Sequence, residues 1–290
     1  MSKILITGSE GQLGKCFQAI AGEFPKYELI FASKSNFDIT NLKSFKSFFN
    51  QKNFNGIINC AAYSNVTKAQ HDIKKSEELN GKGVKNLVEF TEKNQLFLIH
   101  FSTDYVFDGK TKEPIKEDMD PDPLNHYARS KLIGEKAIIN YSSLKVFFRI
   151  SWLFSPYGNN FVKKILQLSR VNKKLRVVND QFGKPTYGID LARTILDNIS
   201  NPDFFKFNCY HYANKGSTSW FKFAKKIIEF SNVKCDIIPC SSENYQTSVD
   251  RPKFSLLDTK RIENHFSLNL YDWENALKRC LKRIKYCEGE

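Results

Sequence analysis

Apolar residues fall along the first half of the chain in short runs, and between the runs their spacing lengthens to three and four. KILIT (3–7), YELIFAS (27–33), GIINCAA (56–62), QLFLIHFS (95–102) and LKVFFRIS (144–151) read as five strands. LGKCFQAIAGEF (13–24), LKSFKSFFNQ (42–51) and a polar stretch at 72–94 carry helical spacing. Strands alternating with helices predict parallel pairing in a doubly wound α/β sheet. The near-continuous apolar character of the strands agrees, because parallel strands are buried on both faces.

After residue 152 the alternation weakens. LRVVN (175–179) and CYHYA (209–213) read as strands, and both are expected to return to the main sheet. Residues 189–199 and WFKFAKKIIEF (220–230) read as helices. A last helix starts near DWENALKRCLKRI (272–284), with Asp272 as its N-cap. The expected organisation is a mainly parallel Rossmann domain over 1–153 and a smaller α/β lobe over 154–290.

Composition narrows the class. The chain has 290 residues, long enough for a real core, and its 41% hydrophobic content is that of a globular protein. MSKILITGSEGQLG has no signal-peptide pattern, and no apolar run approaches the roughly 18 residues a membrane span needs. A cytoplasmic protein is expected, without membrane partners. The seven cysteines are scattered with no C-x-x-C pair and do not cluster with the five histidines, which argues against a structural zinc and for reduced thiols. The net charge of +13 is spread along the chain, and its densest group, KRCLKRIK (278–285), has the spacing of a solvated helix face. No nucleic-acid-binding motif accompanies it, so the charge points to steering of an anionic small molecule.

TGSEGQLG (7–14) joins the first strand to the first helix. Gly8, Gly11 and Gly14 let the backbone approach a pyrophosphate, which then meets the helix N-terminus. At this place in the chain the trio predicts a dinucleotide site, and residues 1–153 an NAD(P)-binding domain. An acid ending the second strand would select the ribose hydroxyl of NAD. Here the strand ends FASKS (31–35), and Lys34 flanked by Ser33 and Ser35 suits a 2′-phosphate. NADPH is therefore expected, with NADH the alternative. Asp38 follows and could lie over the adenine side.

NHYARSK (125–131) places Tyr127 and Lys131 one helical turn apart, before an apolar helical run. A cation beside a phenol favours the phenolate and makes a usable proton donor or acceptor. Alone the pair, common by chance, reads first as an exposed tyrosine and a solvated lysine. The nicotinamide site changes its meaning, because HFSTDYVFDG (100–109) ends the fourth strand and brings Thr103 to the ligand edge of the sheet.

A glycine-rich first turn, a threonine after the fourth strand and Y-x-x-x-K resemble the extended short-chain dehydrogenase/reductases. NCAAYSNV (59–66), STDYVFDG (102–109), LNHYARSKLIGE (124–135), RISWLFSPYGNNF (149–161), NDQFGKPT (179–186) and RPKFSLLDT (251–259) narrow the resemblance to the dTDP-4-dehydrorhamnose reductase family. The resemblance implies reduction of the C4 ketone of dTDP-4-dehydro-L-rhamnose by NAD(P)H, with Tyr127 as proton donor. Lys131 would lower the Tyr127 pKa and hold the nicotinamide ribose, and Thr103 would hydrogen-bond the same oxygen. Gly11, Gln12 and Leu13 would touch the pyrophosphate, Asp38 and Ile39 the adenine side, and Ala62, Tyr63 and Ser64 the cofactor's middle. Asp104 and Trp152 would border the sugar, although Trp152 reads equally as a core aromatic. Asn160 and Arg251 would hold the diphosphate, unless Asn160 caps a helix and Arg251 makes a surface pair.

Two departures qualify the match. VTKAQ (66–70) stands where the family often has V-D-K-A-E, which leaves the sugar open. Magnesium at a dimer contact is raised by the resemblance alone; no acidic cluster calls for a metal, and Lys15 argues against one. Monomer and homodimer both remain open. A sugar-nucleotide dehydratase would carry T-D-E, where this chain has Thr103-Asp104-Tyr105, and tyrosine cannot replace that glutamate as a low-pKa relay. A reductase of a related nucleotide 4-keto-6-deoxy sugar and a non-catalytic regulatory subunit, such as that of methionine adenosyltransferase, are the remaining alternatives.

Overall fold

Ile4, Leu5 and Ile6 are fully buried, and the main sheet extends outward from them on both sides. In the computed structural model, which describes residues 1–50, 53–140, 144–245 and 248–288 (main chain alone for 286–288), β1 (Ser2–Thr7) pairs in parallel with β2 (Tyr27–Ala32) and β3 (Gly56–Asn59). β4 (Phe97–Thr103), β5 (Lys145–Ile150) and Cys209–Tyr212 complete a six-stranded parallel sheet in the order β2-β1-β3-β4-β5 and then Cys209–Tyr212. The fold is the doubly wound α/β class expected from the sequence.

Side-chain alternation places the core on both faces. Ile4, Ile6, Ile58, Ile99 and Phe148 join one large cluster with the helices Gln12–Ile20 and Gly188–Asn198. Leu5, Ile57, Leu98 and Phe147 point the other way, into a cluster with Phe37, Phe45 and Val84. The strand order reverses between β1 and β3, so their carboxyl ends diverge and open a crevice.

Three expectations are corrected. The third strand stops at Asn59 rather than 62, because the chain turns there: the Asn59 side chain accepts from the Ala61 backbone N–H at 3.2 Å. Of the two later strands, Cys209–Tyr212 is fully buried and lies beside β5, whereas Lys174–Val178 pairs with Asp236–Cys240 in a separate ribbon. Its exposed Lys174 and Arg176 rule out burial on both faces, which the interior of the main sheet demands. The polar stretch at 72–94 is interrupted by a π-helical turn, Glu78–Lys82, between Ile73–Glu77 and Gly83–Lys93. The last helix runs Trp273–Glu288, and Asp272 accepts from the Glu274 N–H at 2.8 Å as expected of an N-cap. Ala276, Leu277, Cys280, Leu281 and Ile284 form its buried stripe.

Candidate active site

The first turn is built for close approach. Gly8 has φ +62°, and a Cβ there would lie 2.6 Å from the Ala61 nitrogen, on the β3 side of the crevice. A Cβ on Gly14 would lie 2.4 Å from the Gly8 carbonyl oxygen, so the helix packs directly beneath the turn. The loop is thus a shallow cradle of main chain at a helix N-terminus, which fits a dinucleotide pyrophosphate.

Two cavities flank it. The smaller, of about 220 Å³, is lined by Gly8, Gly11, Lys34, Asp38, Ile39 and Ala62. Asp38 is tied up locally, accepting from the Thr40 backbone and hydroxyl, and Lys34 lies 4.0 Å from its other oxygen. The Lys34 side chain is 80% exposed and so free to reach a ligand at the cavity mouth. The larger cavity, of about 430 Å³, lies over the carboxyl ends of β3 and β4. Gln12, Leu13, Ser64, Thr103, Asp104, Tyr127, Lys131, Trp152 and Asn160 all line it, so residues spread over 150 positions of sequence share one chamber.

The His126–Ile139 helix carries Tyr127 and Lys131. Asn125 caps it by accepting from the Ala128 N–H, and Gln70 accepts the free His126 N–H at 3.0 Å. Gln70 is one of the departures noted in VTKAQ, and here it holds the catalytic candidates' helix in place. The π turn supplies a second clamp: Asn80 bonds the Tyr63 backbone through both ends of its amide and also donates to Ser130. Tyr63 itself turns its phenol to Asp72, at 2.7 Å, and does not line either cavity. Only its neighbours Ala62 and Ser64 do.

The electrostatics differ from the expected direction. Burial pushes the Tyr127 phenol up to about 12, helped by the nearby Asp104 and opposed by a hydrogen bond with Thr103. Lys131 is not among the influences on it. The Lys131 amine instead points down to the Phe101 carbonyl and to His100, and burial pulls it down to about 8, against Glu135. Tyr127 is therefore a phenol that keeps its proton, suited to donating it. Thr103 donates to Asp104 Oδ1 at 3.1 Å, and the Ser255 side chain also faces this buried carboxyl. Burial raises Asp104 to about 7.

Beneath the chamber lies a buried ion pair. Arg149 meets Glu135 at 2.7 Å, and Ser102 donates to the same carboxylate. The pair ties the Tyr127 helix to β4 and β5 directly behind Thr103.

Trp152 occupies a left-handed backbone position, φ +47°, which a bulky side chain seldom adopts. Its indole packs between Gly183, where a Cβ would lie 2.5 Å from the ring, and Trp220. It is both a wall of the chamber and part of the apolar cluster. Asn160 proves to be a helix cap: Oδ1 accepts from the Lys163 N–H, and Nδ2 donates to the carbonyls of Ser155 and Tyr157. Arg251 lies against the phenol of Tyr105, in an adjoining groove of about 340 Å³.

Val66, Tyr105, Phe161 and Trp220 line both chamber and groove, and sequence reading passed over them as site residues. Only their aromatic or branched character marked them, and a core explains that equally well. Among the described residues, no group of three or more His, Cys, Asp or Glu side chains is placed to hold a metal ion, and no helix is long and apolar enough to cross a membrane.

Comparison with known proteins agrees with this geometry. Residues 2–286 match the family model described as RmlD substrate binding domain. The dTDP-4-dehydrorhamnose reductase of Aggregatibacter actinomycetemcomitans is 34% identical over 288 residues, covering 96% of this chain and 98% of the relative. The crystal structure of a dTDP-4-dehydrorhamnose reductase from Clostridium acetobutylicum superposes with a TM-score of 0.91 at 35% identity, covering 98% of this chain and 99% of its own. That of the Bacillus anthracis dTDP-4-dehydrorhamnose reductase, in complex with NADP, gives 0.92 at 34% identity, covering 98% and 100%. With its glycine cradle, its Thr103–Tyr127–Lys131 chamber and relatives matched end to end, this chain belongs to the dTDP-4-dehydrorhamnose reductase family.

Proposed function

We propose that the protein reduces the C4 ketone of dTDP-4-dehydro-L-rhamnose to dTDP-L-rhamnose with NADPH as hydride source. The observation that carries this is the convergence of Thr103 and Tyr127 on one point of a chamber continuous with the glycine cradle. Gly8, Gly11, Gln12 and Leu13 would hold the cofactor pyrophosphate, and Asp38 and Ile39 would border the adenosine. Lys34 would pair with the 2′-phosphate. When bound, the nicotinamide supplies hydride to the ketone carbon.

The chain's own groups do the rest. As the ketone oxygen gains charge, Tyr127 gives it the phenol proton. A phenol held up to about 12 keeps that proton at neutral pH, yet an alkoxide is more basic still, so the transfer runs downhill. The Thr103 hydroxyl, turning from Asp104 Oδ1, would donate to the same oxygen and stabilise its charge as it forms. Trp152 and Trp220 wall the sugar and exclude water. The groove beyond, with Arg251, Tyr105 and Phe161, has the basic and aromatic character that a nucleoside diphosphate requires.

The test is NADPH oxidation, followed at its absorbance band, with dTDP-4-dehydro-L-rhamnose generated in place. Rapid oxidation that Tyr127→Phe abolishes is the expected result. No oxidation despite tight NADPH binding would defeat the reading.

A further inference from the structure

NDQFGKPT (179–186) carries a glutamine that the chemistry of the chamber does not use. Gln181 is buried and lines the groove beyond the chamber. Its neighbours fix which end of its amide faces that groove. Asp180 accepts from the Ser242 backbone N–H at 3.0 Å and from the Ser242 hydroxyl at 2.6 Å. Against the cost of partial burial, these bonds help hold the Asp180 carboxyl below its ordinary pKa, so it is ionised and only accepts. The single hydroxyl proton of Ser242 therefore lies toward Asp180. Only lone pairs of the Ser242 oxygen remain, and the end of the Gln181 amide 3.0 Å away must donate to one of them. That end is Nε2.

The carbonyl end is then the free one. Oε1 has no hydrogen-bond partner among the described residues and is not sealed in the interior, so it opens on the groove that Gln181 lines. Turning the amide over would set Oε1 against the Ser242 oxygen, acceptor against acceptor. Asp180 and Ser242 thus lock a lone acceptor into the groove, and a lone acceptor needs a donor.

The phosphates of a nucleoside diphosphate only accept, and they suit Lys164, Arg176 and Arg251, which also line the groove. Ile165, Leu168, Leu175 and Val177 give it an apolar lining and Tyr245 an aromatic face, so the part of the nucleotide beside them is the flat base. Gln181 follows closely on Lys174–Val178, the strand that carries Leu175 and Val177. The edge of a base lying on that strand meets Oε1.

We infer that Gln181, its amide locked by Asp180 and Ser242, is a specificity-determining residue that accepts a hydrogen bond from the imide N3–H of a thymine or uracil base. Cytosine has a lone pair at N3, with its nearest N–H displaced to the C4 amino group, and would meet Oε1 acceptor to acceptor. This selection rests on the nucleotide-sugar reading of the groove. It admits thymine and uracil alike, since both carry N3–H. Asp180 and Ser242 act only through Gln181 and are positioning residues.

The test is equilibrium binding by calorimetry to the full-length protein with NADPH bound, using dTDP, dUDP, dCDP, N3-methyl-dTDP and 3′-deoxy-dTDP. The first two and the 3′-deoxy analogue should bind alike. Binding of dCDP and N3-methyl-dTDP should be about 10–100-fold weaker, the scale of leaving a buried acceptor unpaired. Gln181→Met removes the acceptor and should weaken dTDP about tenfold while leaving dCDP unchanged. Ser242→Ala frees the amide to turn over, so dTDP should bind nearly as before and dCDP more tightly. Equal binding of dTDP and N3-methyl-dTDP by the unmodified protein would overturn the inference, as would a preference for dTDP over dCDP that survives either substitution intact. A loss confined to 3′-deoxy-dTDP would also overturn it, by making the deoxyribose hydroxyl the partner. Should Gln181→Met not fold, the analogues on the unmodified protein and Ser242→Ala decide. Failure to bind any of these diphosphates would defeat the nucleotide-sugar reading and the inference together. Tight dTDP binding without turnover would count against the proposed reaction and leave the inference standing.

Discussion

The indole of Trp152 lies 3.6 Å from that of Trp220, centroid to centroid, with 9° between the planes. Trp152 comes from the bend after β5, and Trp220 opens the Trp220–Ser231 helix behind the cap of Ser219. Their contact therefore joins the end of the main sheet to that helix, at the boundary between the chamber and its groove. Trp220→Ala should raise KM for the nucleotide sugar roughly tenfold, the scale of one well-placed aromatic contact. NADPH affinity should stay unchanged, because the cofactor cradle lies elsewhere. Steady-state kinetics with separate cofactor titration would check the split.

Tyr127→Phe removes one oxygen and its proton. Turnover should fall about 10²–10⁴-fold, the range for loss of a general acid, while NADPH binding is retained. Pre-steady-state NADPH oxidation in the variant is the check, and full activity would sink the assignment.

Asp104 gives a pH dependence with a definite sign. Burial lifts its pKa from 3.8 to about 7 in the folded protein, so folding favours the protonated acid. Stability from this group is fully present below pH 3.8 and is lost as pH rises through about 7. Asp104→Asn mimics the neutral acid. It should flatten the loss of Tm across that window, as thermal melts at a series of pH values would reveal.

Lys34→Ala should weaken NADPH by about tenfold and NADH little, since only NADPH carries the phosphate the ammonium would meet. Equal losses for the two cofactors would remove Lys34 from the 2′-phosphate site.

Glu135→Gln leaves Arg149 as a buried charge with a weakened partner. A loss of about 3–5 kcal/mol is expected, as for breaking other buried pairs. Chemical denaturation would measure it, and Glu135→Asp should lose less.

Much of the fold was legible before any coordinate. The five strands, the glycine turn and the helix of Tyr127 rest on local regularities: side-chain period, chain stiffness and the special freedom of glycine at Gly8. Such signals need no knowledge of distant neighbours. Gathering Thr103, Tyr127 and Gln12 in one chamber was also legible, because parallel strands carry their C-terminal residues to a common edge.

What the sequence could not decide was anything that depends on what a side chain meets. LRVVN and CYHYA look alike as strings, yet one edges a ribbon and the other lies in the main sheet, because burial on both faces is settled by the partners available. Asn160 had two open readings, and the carbonyls of Ser155 and Tyr157 chose the cap. The clearest case is Tyr127 and Lys131. Their spacing by itself determined that they share a helix face and implied that the cation would lower the phenol. Only tertiary structure turned the amine toward His100 and Phe101 and buried the phenol, which reversed the direction. Charge effects depend on distance and desolvation, and the groups met here, Thr103 and Asp104 by the phenol and His100 and Phe101 by the amine, come from a different strand end, more than 20 positions away in the chain.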